Sequence, residues 1–297
     1  MKYLATLLVV IIFSSGNQAQ NNNDTTYWKI DLSTGLNINQ ASFSSNWTAG
    51  GINSIGLNTH FNLKANYQKG RHSWDNQIEL LYGFVNNQGQ GFRKTNDRIF
   101  IDTKYGYQLS DHWSLYASLN FLTQFADGFR YEDDTNGNEQ EILISRFFAP
   151  AFITTSYGFQ YQPKDFFKVR LSPFSPRFTI VSDTKLIQNI PENYGVARGE
   201  TLRTEWAAFQ LFADFDRDLA KNLNLKWKYI LFWNYELPVD EIDHRLDVTL
   251  SAQINSFLST DLGVIMIYDV DQDADIQLSQ LFSLGLVYKF KNFEEEE

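Results

Sequence analysis

Proton transfer near neutral pH falls first to histidine, and this chain has four: His60, His72, His112 and His244. His244 follows Asp240-Glu-Ile-Asp243, a grouping in which carboxylates and an imidazole could activate a water. The same run also reads as the solvated tip of an acidic hairpin. A lipid hydrolase would need a nucleophilic Ser beside a His on a bilayer-facing surface, and the outward rows described below supply no such pair. No H-E-x-x-H, phosphate-cradling Gly loop or G-x-S-x-G occurs. With no Cys, thiol catalysis, disulfides and iron–sulfur clusters are excluded. The residues therefore predict no enzyme, no catalytic residue and no cofactor. A hydrolase built on His244, Asp240 and Asp243 is the minor alternative.

Two acidic stretches invite a hard cation. Asp269, Asp271, Asp273 and Asp275 alternate through a tight hairpin, and Glu132-Asp-Asp134 precedes Thr135-Asn-Gly-Asn138. A calcium loop of the helix–loop–helix type needs Gly at position six and Glu at twelve. Counted from Glu132, Gly137 satisfies the first, but Leu143 stands at the second. Solvated polar turns are the expected reading and no metal site is assigned, with transient bridging of divalent ions left open.

The elements that must position these residues show a strict period of two. Ile55, Leu57, Thr59, Phe61, Leu63, Ala65 and Tyr67 form one row; Gly56, Asn58, His60, Asn62, Lys64, Asn66 and Gln68 form the other. That is a half-apolar strand, long enough to cross a bilayer at a tilt. The pattern recurs from Trp28 to Ile38, Trp74 to Phe84, Ile99 to Tyr107 and Trp113 to Phe121. It continues over 151–162, 166–181, 203–217, 222–236, 244–256, 260–270 and 276–290. Twelve strands result, an even number, and the fold class is all-β: a transmembrane antiparallel up-and-down β-barrel. Short turns at 69–72, 110–112, 163–165, 218–221 and 256–259 alternate with longer loops at 40–51, 86–97, 126–148, 182–202 and 237–243; 271–275 breaks the rule. In such barrels the short side is periplasmic, which puts both termini there. Trp28, Trp74, Tyr107, Trp113, Trp227, Tyr235 and Tyr288 stand near strand ends on outward rows, where amphipathic rings favour the headgroup level.

The inward rows collect charge of both signs. An Arg or Lys at the lipid midplane costs about 2–4 kcal/mol, so the inward placement supports this register. Lys64, Asp102, Lys104, Lys168, Arg170, Asp214, Lys226, Lys228, Arg245 and Asp247 are the candidate lumen-lining residues. They would set selectivity in a pore lined by both signs, or form an internal salt-bridge network that plugs a narrow barrel. Inward Phe100, Tyr116, Leu122, Ile230, Phe232, Ile265, Ile267 and Leu281 tilt the reading toward a partly filled lumen.

The ends and the overall composition fit an exported chain. Lys2 is followed by an apolar run from Leu4 to Phe13 and small residues up to Ala19, which reads as a cleavable secretory signal over 1–19, with Gly16 as the alternative cleavage position. No other apolar stretch is long enough for a transmembrane helix. A barrel of 20–290 and a short acidic periplasmic tail of 291–297 follow. The net charge of −10 argues against a nucleic-acid partner, and the mean hydropathy of −0.34 is what half-lumenal strands give. The last strand, Ser283-Leu-Gly-Leu-Val-Tyr-Lys-Phe290, resembles the C-terminal sorting strand of bacterial outer-membrane barrels, with Gly285, Tyr288 and Phe290 at the matching places. The resemblance implies the outer membrane of a Gram-negative bacterium, its lipids and the barrel-insertion machinery as partners.

Three further segments carry a family resemblance: Asn46-Trp-Thr-Ala-Gly-Gly51, Trp74-Asp-Asn-Gln-Ile-Glu-Leu-Leu-Tyr-Gly83 and Leu171-Ser-Pro-Phe-Ser-Pro-Arg-Phe-Thr-Ile-Val181. They are similar to a Bacteroidota outer-membrane family catalogued as a domain of unknown function, number three thousand and seventy-eight. The resemblance implies a barrel and carries no catalytic residues. In physical terms, Gly50-Gly51 would fold the first outer loop against the rim with Trp47 as its anchor. Ser172-Pro-Phe-Ser-Pro176 would bulge strand seven, because Pro cannot donate a ladder bond, and aim Phe174 or Arg177 into the lumen, or serve only to close the barrel. The expected function is a small-solute channel or passive transporter; the alternative is a structural or accessory barrel with an occluded lumen, acting through loops or by docking an envelope complex.

Overall fold

A computed structural model describes residues 27–42, 44, 52–190 and 192–293. The signal segment, the Asn46 to Gly51 motif with Trp47, and residues 294–297 of the acidic tail lie outside the described residues.

The chain opens with five long strands: β1 (Trp28–Ala41), β2 (Ser54–Lys69), β3 (His72–Asn87), β4 (Gly91–Gln108) and β5 (Trp113–Thr123). A separate hairpin follows, β6 (Gly128–Asp133) with β7 (Glu139–Ser145). Next come β8 (Ala151–Lys164), β9 (Phe167–Phe174), β10 (Arg177–Ile180), β11 (Leu202–Glu205) and β12 (Ala208–Ala220). The chain closes with β13 (Leu223–Asn234), β14 (Asp243–Gln253), β15 (Leu258–Asp269) and β16 (Asp273–Lys291). β9 and β10 are two halves of one interrupted strand, as are β11 and β12, so twelve staves make the wall. Each pairs antiparallel with its neighbours in chain order. β8 pairs β9, and β16 pairs β1 with Phe290 opposite Leu32 and Gly285 opposite Asn37. Closure leaves the barrel sheet without a free edge strand.

Alternation does what the pattern demands. Along β16 the even residues from Ile276 to Phe290 face outward and are exposed, while Ser283, Gly285 and Val287 face inward and are buried. Tyr288 and Phe290 are thus lipid-facing, and Gly285 is lumenal. A Cβ added to Gly285 would fall 1.7 Å from Asn37 Oδ1, so glycine is what lets Asn37 lie flat across the neighbouring strand. The aromatic belt at the short-turn end is continuous, with Trp28 5.3 Å from Tyr67 and 6.0 Å from Trp74 between ring centroids.

Two expectations about the loops are corrected. The stretch 86–97 is not a long loop: β3 and β4 run on to Asn87 and from Gly91, paired almost to a tight turn at 88–90. Its Asn- and Gly-rich composition imitates a loop, but the ladder continues with one irregularity opposite Gly83 and Phe84. Within 126–148 the β6–β7 hairpin forms its own two-stranded sheet, an extension that mixed polar and apolar residues left unmarked in the sequence.

The break in strand seven is a switch of face. Before it, Lys168, Arg170 and Ser172 point inward; after it, Ser175, Arg177 and Thr179 do. The inward parity changes from even to odd. Phe174, expected as a lumen candidate, instead faces out and stacks on Tyr157 with centroids 5.9 Å apart, whereas Arg177 enters the lumen. Strand eight makes the matching change at Trp206-Ala207, and the two breaks are stitched by Ser175 N–H donating to the Ala208 carbonyl at 2.8 Å. On the other side β8 must come very close: a Cβ on Gly158 would sit 2.0 Å from the Leu171 carbonyl oxygen. Only glycine permits that approach.

Candidate functional site

The inward charges form a belt across the middle of the lumen rather than a lining of free groups. Glu79 on β3 is its hub. Lys228 on β13 donates to Glu79 Oε1, Lys226 lies 3.5 Å from the same oxygen, and Arg98 on β4 lies 3.6 Å from Oε2. Arg98 then reaches Asp247 on β14 at 3.0 Å, and Arg245 bonds the same carboxylate at 3.0 Å. A second group sits beside it. Arg170 on β9 pairs with Asp102 on β4 at 2.8 Å, Asn120 donates to Asp102 at 2.7 Å, and Lys104 pairs with Asp75 at 2.7 Å. Toward the short-turn end Lys168 lies 3.6 Å from Asp214, and Lys64 bonds Asp216 at 3.1 Å.

All ten candidate lumen residues lie on inward rows and take part in these ion pairs, some in the group around Glu79 and the others in pairs separate from that hub. Sequence reasoning missed Arg98, because the strand was started at Ile99. The signal was present: the even row Phe100, Asp102, Lys104 extends back by one step to Arg98. Glu79 and Asp75 lie on the inward row of β3, the row that alternates with Trp74, Ile78 and Leu80, but are not among the ten candidates. Together eight cations meet six carboxylates in these pairs.

Aromatic rings complete the packing. The Arg170 guanidinium lies 4.1 Å from the Phe212 centroid, and Arg98 lies 4.9 Å from that of Phe100. A planar cation on a ring face is attracted to the ring quadrupole and fills space at once. Tyr116 bonds Ser172 inside the same layer. The result is asymmetric. On the side of β3, β4, β9, β12 and β13, Glu79, Phe100, Asp102, Lys104, Arg170, Phe212 and Lys228 are each at most 6% exposed. On the opposite side, inward Ser33, Asn62, Thr249 and Asp261 are only half-buried and polar.

The loop end carries a lid. Residues 181–190 and 192–201 contain two single 3-10 turns, Leu186–Gln188 and Asn193–Gly195. Leu186, Val181, Val196 and Ala149 make a small buried cluster with Leu143 and Tyr194 against it. Asn189 donates to the Leu143 carbonyl at 2.7 Å and Tyr194 to that of Ile144 at 2.9 Å, tying the lid to β7. Burial, with a smaller push from Asp269, raises the Tyr194 phenol to about 12. Beneath the lid Arg203 pairs with Asp271 in the β15–β16 turn and with Glu205 at 3.2 Å, and Arg177 pairs with Asp243. Gly195 touches the Arg203–Asp271 pair, so the lid reaches from β10 and β11 across to β15.

The grouping of His244 with Asp243 is divided by the strand itself. Asp243 turns inward to Arg177, while His244 turns outward, its Nδ1 2.7 Å from the Tyr229 hydroxyl. His60 is lumenal, packed so closely that a Cβ on Gly35 would fall 2.3 Å from its Cε1. In the acidic stretches, Asp134 accepts backbone N–H bonds from Asn136 and Asn138, both at 2.8 Å, and Asp271 is held by Arg203. Among the described residues no group of three or more His, Asp or Glu has a metal-binding arrangement.

Residues 38–129 match the family model described as "Protein of unknown function (DUF3078)". No curated protein matches the chain. Among solved structures, an outer membrane channel from Pseudomonas putida F1 is 11% identical with a TM-score of 0.40, covering 92% of this chain and 100% of that one. The translocator domain of the autotransporter NalP from Neisseria meningitidis is 8% identical with a TM-score of 0.36, covering 97% of each chain. The NanC porin is 9% identical with a TM-score of 0.40, covering 88% of this chain and 100% of that one.

Proposed function

We propose that the protein is an outer-membrane conduit for small solutes, exported by its N-terminal signal, with both termini and the short turns in the periplasm. Outer-membrane lipids and the insertion machinery are its partners in this reading, and no catalytic step is assigned. The observation that carries it is the asymmetry of the lumen. A sealed belt of ion pairs on one side faces a half-buried polar wall of Ser33, Asn62, Thr249 and Asp261 on the other. A barrel meant only as a plug would be filled more favourably by well-packed apolar side chains, because buried ion pairs rarely outweigh their desolvation. A polar track beside fixed charges lets a hydrated solute exchange water for wall contacts.

Planar-bilayer recordings of the purified protein test this. Small unitary currents are expected. Arg98→Ala, which removes the side chain spanning Glu79 and Asp247, is expected to raise the unitary conductance. No current above background from either protein at any voltage would overturn the conduit reading.

The lid favours a second reading. Its fully buried cluster and its bonds to β7 would suit an occluded barrel that acts through its loop end by docking an envelope partner. Silence in the same recordings from a variant with 183–199 replaced by a short Gly-Ser link would favour it.

A further inference from the structure

The outer wall at the short-turn end holds a cavity that the lumen does not use. It has a volume of about 440 Å³ and is lined by Tyr67, Lys69, Gly70, Arg71, His72 and Tyr107. Its position follows from register. Tyr67 stands opposite Trp74, Lys69 opposite His72, and His72 opposite Tyr107, so these residues share the outward face with the lipid-facing row. They lie in the aromatic belt that continues through Trp28 and Trp74. The cavity therefore sits at headgroup depth and opens toward the bilayer.

Its chemistry is selective. Lys69 and Arg71 bring two cations to the rim, and neither has a carboxylate within 4.0 Å among the described residues. The charges of the central belt are paired, whereas these two cations are left for an outside partner. Lys69 is also held in place. Lys69 Nζ lies 4.9 Å from the Tyr27 ring. The turn is fixed by Gln68 Nε2 donating to the Gly70 carbonyl at 3.0 Å, and by Gln108 N–H donating to that of Arg71 at 2.8 Å. The His72 ring is oriented by Tyr105, its Nδ1 2.5 Å from the hydroxyl, and packs 5.3 Å from Tyr107. Two cations above an aromatic floor match a phosphodiester on an acyl-glycerol backbone: Arg and Lys take the phosphate oxygens, and the rings cover the glycerol and first methylenes.

We infer that this cavity is a binding site for the headgroup of one glycerophospholipid of the leaflet that the short turns face. A site at this depth anchors the β2–β4 wall to that leaflet and fixes the barrel's height in the membrane. The inference does not depend on passage through the lumen.

Native mass spectrometry of the full mature chain in detergent, titrated with phosphatidylglycerol, reads it directly. Wild type is expected to retain one lipid about tenfold more tightly than the double variant Lys69→Gln, Arg71→Gln, the loss anticipated for removing two charge-assisted contacts. Lys185→Gln, an exposed cation on the lid, is expected to match wild type. Tyr67→Leu, which keeps the apolar bulk, separates loss of the floor from loss of charge, and heat-modifiable mobility on gels confirms that each variant folds. Equal retention by wild type and the double variant would overturn the inference. So would retention of diacylglycerol, which lacks the phosphate, as tightly as phosphatidylglycerol. Binding of inorganic phosphate without retained lipid would reassign the site to a free anion and overturn it equally.

Discussion

Glu79 shows why single residues matter most in the middle of this barrel. Three cations converge on its carboxylate, and its own exposure is 6%. Replacing it with Ala leaves Lys226, Lys228 and Arg98 uncompensated in a desolvated layer. Removing one partner of a buried pair costs about 3–5 kcal/mol, so Glu79→Ala should lower the unfolding free energy in lipid vesicles by about that amount in a urea titration. The exposed pair Arg130–Glu132 on the β6–β7 hairpin is the contrast: Glu132→Ala should change stability by under about 1 kcal/mol. Gly158 tests close approach instead of charge. Gly158→Ala must displace the Leu171 carbonyl and with it the break in strand seven. The expected outcome is a sharp loss of the heat-modifiable folded band after refolding.

At the scale of elements, most of the wall could be read from alternation alone, because lipid outside and polar groups inside impose one rule on every residue. The twelve staves, the pairing of β16 with β1 and the inward row of charges all followed from that rule. It failed where composition and conformation part company. The 86–97 stretch is rich in Asn and Gly yet stays in the ladder, which concealed Arg98 and so one of the three cations on Glu79. Pro173 and Pro176 marked a break, but nothing in the local sequence says that parity switches there, nor that Trp206-Ala207 switches with it; that is set by pairing between strands. The lid was invisible for a similar reason. Its apolar members Val181, Leu186 and Val196 are spaced irregularly and meet Ala149 only in three dimensions. Removing 183–199 should raise conductance several-fold if the lid limits access to the lumen, and leave it unchanged if the central belt alone does.

At the scale of the molecule, the belt joins staves that are not neighbours. Lys64 and Asp216 are 152 residues apart in sequence, and Arg98 and Asp247 are 149 apart. Hairpin contacts can form as each pair of strands arrives, but these spokes can form only when the circle is nearly complete. Distant contacts are the slow ones to make, since the loop they close is long. The last stage of assembly should therefore be a single cooperative tightening, with the half-built sheet carrying unmatched charges toward its future interior. Pulling the finished protein from a membrane by its C-terminus would meet the same spokes in reverse. The first hairpin, β15 with β16, should peel away at modest force. The next should resist, because β13 and β14 leave only when Lys226, Lys228 and Asp247 are torn from β3 and β4 together.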